Sequence, residues 1–128
     1  MTASNKTVHF LHENITWKRL LDFFMLENSY LKNRLSEVVD KVTDKLLIAD
    51  AEQFQNEFLQ KDEGMYDIKK DIQLQEKSLQ QSITQKEELS VDTCKKQEKL
   101  RSEIVSLERD CSMLKNKFNS YLLVMYNC

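Results

Sequence analysis

The chain has 128 residues, 31% charged and 41% apolar, with 19 basic against 21 acidic side chains. One glycine, Gly64, and no proline leave too few turn residues for hairpin-rich β folds or for Rossmann, P-loop and TIM-type enzymes. The near-balanced charge argues against a nucleic-acid binder, which carries a strongly basic face.

An all-α chain remains, and its helices can be taken in order. Residues 1–8 are polar and are expected to fray. Helix 1 is predicted over about 10–40. Phe24, Asn28, Leu31, Leu35, Val38 and Val42 alternate four- and three-residue steps, a heptad seam. Leu20, Leu21 and Trp17 extend it backward. Asn28 is its polar member. Either it sits inside and sets register, as buried Asn does in coiled coils, or it lies at the seam edge in water; the edge is the favoured reading.

A break is predicted at 40–45, where Thr43 or Asp44 is placed to cap the next helix. Helix 2 then runs over about 44–88. Its stripe is Leu47, Ala51, Phe54, Phe58, Met65, Ile68, Ile72, Leu79 and Ile83. Gly64 falls inside it and costs ~1 kcal/mol relative to Ala without stopping the helix. Close backbone approach, a kink or no role at all are the open readings for Gly64, with no role favoured. A second break at 88–92 offers Ser90 or Asp92 as a cap. Helix 3 follows over about 92–126, with the seam Leu100, Ile104, Leu107, Cys111, Leu114, Phe118, Tyr121 and Met125.

Residues 46–89 carry 5 basic and 10 acidic groups, whereas residues 1–45 carry 7 and 6 and residues 90–128 carry 7 and 5. An acidic middle helix between neutral-to-basic neighbours suits antiparallel packing with opposite charges along the seams. The predicted fold is a single-domain, elongated, up-down-up three-helix bundle with coiled-coil-like packing.

Candidate chemistry is sparse. His9, His12 and Glu13 have helical spacing that suits a metal, but no matching Glu-x-x-His cluster follows, and a surface histidine pair is the favoured reading. No Ser/His/Asp or Cys/His set has a sequence reason to meet, so neither an enzyme nor a cofactor is expected. The basic run Lys95, Lys96, Lys99 and Arg101 is diluted by Glu98 and Glu103 and lacks interleaved aromatics. The three cysteines, Cys94, Cys111 and Cys128, match no zinc or redox spacing and point to a reducing compartment. Cys111 falls on the seam and reads as a small core residue. No apolar leader is visible in the first residues, so a cytoplasmic location is expected. The longest apolar run, Tyr121 to Tyr126, is far below the ~18 residues of a membrane span.

The strongest hint is surplus apolar surface. From Leu20 to Leu26, six of seven residues are apolar, where a single seam uses two in seven. Leu20, Phe23, Met25 and Leu26 are therefore the candidate interaction surface, toward a second copy of the chain or another helical protein. A second cluster, Leu46–Ile48 with Tyr121–Tyr126, is expected to cover itself largely where helix 3 ends beside the start of helix 2.

The stretches Trp17–Phe23, Glu27-Asn28, Leu31–Val38, Glu52–Leu59 and Lys61–Glu63 resemble small uncharacterised bacterial helical proteins over roughly residues 9–75. The resemblance implies a bacterial, cytoplasmic, helical protein and carries over no catalytic or binding residue. The reading is a non-enzymatic structural or interaction protein that self-associates, with a monomeric adaptor as the alternative.

Overall fold

Ser4, Asp44 and Ser90 open the three helices of the computed structural model, which describes residues 4–126. The helices are α1 (Asn5–Val39), α2 (Lys45–Gln85) and α3 (Val91–Met125). Each opening side chain accepts from an amide of the first turn: Ser4 from Thr7, Asp44 from Leu46 and Leu47, and Ser90 from Thr93. These are the amides that a helix leaves without an internal partner. In the two serine caps the Thr hydroxyl three residues on also meets the Ser hydroxyl, at 2.8 and 2.9 Å.

Helix α1 begins five residues before the predicted start. The expected fraying of residues 4–8 gives way to a capped first turn with Thr7 buried, because Ser4 and Thr7 close it; residues 1–3 lie outside the described residues. Helix α2 ends at Gln85, three residues short of the prediction. Lys86 takes a left-handed conformation (φ 56°), its amide bonds Ile83 O, and the amide of Glu87 bonds Ser82 O. This is the Schellman closure that glycine usually makes. Gly64 lies within the uninterrupted helix, and a Cβ there would meet nothing within 4 Å, so close backbone approach is not its role.

Cross-links between helices give their directions. Lys18 meets Glu76, Asp22 meets Lys69 and Lys32 meets Asp62, so partners ascend on α1 as they descend on α2. Gln75 pairs with Gln97, and Tyr121 Oη donates to Leu47 O, which sets α2 and α3 antiparallel. Arg101–Glu13 and Lys115–Glu27 share one sequence offset of 88, so α1 and α3 run parallel. The chain is an all-α, up-down-up three-helix bundle. Helices of 35, 41 and 35 residues at 1.5 Å per residue are roughly 50–60 Å long, so the bundle is elongated.

The core forms two apolar clusters. One gathers Trp17, Leu21 and Phe24 with Met65, Ile68, Ile72, Leu100, Ile104 and Leu107. The other gathers Leu31, Leu35 and Val38 with Ala51, Phe58, Leu114, Phe118 and Tyr121. In the second, the Phe58 and Phe118 rings meet edge to face at 5.3 Å, the arrangement that aromatic quadrupoles favour. Cys111 is half-buried and packs against the first cluster, a step outward from the predicted core position, and burial raises its thiol pKa. Cys94 is half-buried and free, and Cys128 lies outside the described residues.

Candidate interaction surface

The buried seam of α1 runs without a gap through Thr7, Phe10, Asn14, Trp17, Leu21, Phe24, Asn28, Leu31, Leu35 and Val38. Strict three- and four-residue steps hold these ten side chains on one face. The apolar run Leu20–Leu26 therefore divides three ways around the helix. Leu21 and Phe24 enter the core. Leu20 and Met25 are partly buried and pack against the first core cluster. Phe23 and Leu26 point away, 55% and 73% exposed.

Phe23 and Leu26 have company that the sequence reading did not single out. Val8, Ile15 and Tyr30 are also exposed, at 40%, 42% and 61%. At 100° per residue, Val8, Ile15, Phe23, Leu26 and Tyr30 share the side of α1 opposite the buried seam. The signal for this second stripe was the seven-residue step from Val8 to Ile15 and the three- and four-residue steps from Phe23 to Tyr30. The four candidate residues thus separate. Leu20 and Met25 flank the core, and Phe23 and Leu26 belong to an outward stripe.

The second apolar cluster covers itself only in part. Leu47, Leu122 and Met125 pack against the core, but Leu46, Leu123 and Val124 stay 78%, 73% and 63% exposed. Consecutive helical residues sweep around the axis, so a run of apolar residues cannot all face one neighbour. A groove of 420 Å³ between α2 and α3 at this end is lined by Leu47, Phe54, Tyr121 and Val124 with charged neighbours.

Two polar layers interrupt the core. Asn28 is buried, not at a wetted edge: its Nδ2 donates to Phe58 O at 3.0 Å and to Asp62 Oδ1 at 2.6 Å. Lys32 holds the other oxygen of Asp62. Asn28 thus ties α1 to α2 at one level. In the second layer Gln97 Nε2 lies 3.0 Å from Asn14 Oδ1, and Gln75 Nε2 donates to Gln97 Oε1 at 3.1 Å and to Thr93 O at 2.8 Å. One residue from each helix contributes. Asn14 Nδ2 and Gln75 Oε1 are buried there without a partner among the described residues.

Glu13 closes this layer on the outside. Its two oxygens receive Arg101 Nε and Nη2 at 2.8 and 2.7 Å, and Gln97 Nε2 lies 3.2 Å from Oε1. The Arg101 hydrogen bonds, foremost among several causes, hold the Glu13 carboxyl below its ordinary pKa despite partial burial. The candidate metal trio is therefore taken up differently. Glu13 is engaged by Arg101, while His9 and His12 are exposed and His9 Nε2 stands 3.8 Å from Glu13. Among the described residues no group of three or more His, Cys, Asp or Glu side chains is placed to hold a metal ion. The basic run of α3 is dispersed: Lys96 pairs with Asp92, Lys99 with Glu103 and Arg101 with Glu13. Among the described residues no helix is long and apolar enough to cross a membrane.

No family model, curated protein or solved structure matches this chain.

Proposed function

We propose that the protein is a non-catalytic interaction module that associates with copies of itself through the outer face of α1. The observation that carries this reading is the second stripe, Val8, Ile15, Phe23, Leu26 and Tyr30, directly opposite a seam that already satisfies the bundle. A helix that packs on one side only has no internal use for such a stripe. Arg19 and Asp22 divide the stripe into two apolar stretches, and exposed apolar surface rimmed by polar residues marks interaction sites.

The test is absolute mass in solution by light scattering over a wide concentration range, for the wild-type chain and for Phe23→Glu/Leu26→Glu. The expected result is an oligomer that the double variant converts to a helical monomer. A wild-type chain that stays monomeric overturns self-association and turns the search toward a different helical partner on the same face.

A further inference from the structure

We infer that the occupant of the α1 outer face is the same face of a second copy, laid antiparallel about a two-fold axis between residues 20 and 21. The inference rests on the self-association reading above and adds its geometry. The middle of the stripe is not apolar: Arg19 and Asp22 lie there, one turn apart, between Ile15 and Phe23. Arg19 is exposed and makes no ion pair among the described residues. Asp22 is 70% exposed, with Lys69 no closer than 3.9 Å.

An antiparallel partner centred there sets Ile15 opposite Leu26 of the second copy and Arg19 opposite its Asp22. Each pair occurs twice, as a two-fold interface requires. One turn farther out, Tyr30 falls at the level of Leu11, a half-buried residue on the flank of the stripe. A parallel two-fold dimer instead stacks Arg19 on Arg19 and Asp22 on Asp22, and facing like charges disfavour it. The area is sufficient with its rim. The five apolar side chains leave on the order of 600 Å² exposed per copy, against ~800 Å² per partner in a standard interface, and the Arg19, Asp22 and His12 side chains supply much of the remainder.

Two measurements on the full chain test this. In the first, Arg19→Glu and Asp22→Arg are made singly and together, and the dimer dissociation constant is read by sedimentation. Each single change sets like charges face to face twice and is expected to weaken the dimer about tenfold or more, and the exchanged pair is expected to restore it.

In the second, one spin label is placed at Asn33→Cys in a Cys94→Ser/Cys111→Ala/Cys128→Ser background, with helicity checked by circular dichroism. Antiparallel packing puts the two labels about 40 Å apart along the axis, and parallel packing puts them about 10 Å apart across it. A short distance, or charge variants with unchanged affinity, overturns the arrangement and leaves self-association standing. A wild-type chain monomeric at all concentrations overturns both.

Discussion

Arg101 on α3 grips Glu13 on α1 through two hydrogen bonds of 2.8 and 2.7 Å, joining the two helices that run parallel. A planar guanidinium on a carboxylate is the geometry in which an ion pair holds a fixed orientation. The Arg101 side chain is 42% exposed, so solvent screens the pair, and a double-mutant cycle with Glu13→Gln and Arg101→Gln is expected to give a coupling of about 1 kcal/mol. Because the folded-state pKa of Glu13 is depressed, its contribution is present above the unfolded carboxyl pKa and is lost as pH falls through the folded value. Urea unfolding should therefore show a stability gap between wild type and Glu13→Gln that holds at neutral pH and narrows below about pH 4.

The layer of Asn14, Gln75 and Gln97 answers differently to one change and to three. Gln97→Leu alone strips partners from two buried amides and should destabilise by about 1–3 kcal/mol. Replacing all three by Leu removes the orphaned atoms as well and should raise the denaturation midpoint above that of Gln97→Leu. The gain in burial is expected to come with loss of a unique helix register, seen as broadened or doubled amide resonances. A triple variant with one sharp set of resonances would show that this layer is not needed for register.

Phe58 and Phe118 are both fully buried and in ring contact. Phe58→Ala should cost about 3–5 kcal/mol, since the bundle is held on all sides of that ring and cannot close the cavity. Leu26→Ala, on the outward stripe, should stay within ~0.5 kcal/mol when measured on dissociated chains. Equal losses at the two positions would place Leu26 in the core.

Two backbone positions invite stabilising changes. Gly64→Ala adds a methyl group to open space within a helix and should raise stability by ~1 kcal/mol, or roughly 3–5 °C in Tm. Lys86→Gly relieves a left-handed residue at the end of α2 and should gain up to about 1 kcal/mol. A drop in Tm for Gly64→Ala would mean that the position is used in contact with another molecule.

Much of the fold was legible because heptad steps read the same in sequence and in space. Leu100, Ile104, Leu107, Leu114, Phe118 and Tyr121 lie on the face that their spacing dictates, and Asp44 and Ser90 cap helices because free amides need a short acceptor at that offset. The polar part of the core was not legible. Thr7, Asn14, Gln75 and Gln97 carry no mark of burial in their own chemistry, since each is equally at home in water. An edge position for Asn28 follows from the same chemistry, yet Phe58 O and Asp62, thirty and more residues away, supply its partners.

The candidate surface divided in the same way. The excess of apolar residues over one seam was a property of the chain alone. Which of them were surplus required the bundle, since Leu20 and Met25 are drawn onto the core by neighbouring helices while Phe23 and Leu26 are left outside. By itself, then, the sequence determined helix number and order, most of the seams, and two of the caps to within a choice of two residues each, because these depend on residues within a few positions of one another. Only the tertiary structure decided which polar groups are buried together and which apolar ones are free, because both depend on the rotation and register of helices whose contacting residues are far apart in the chain.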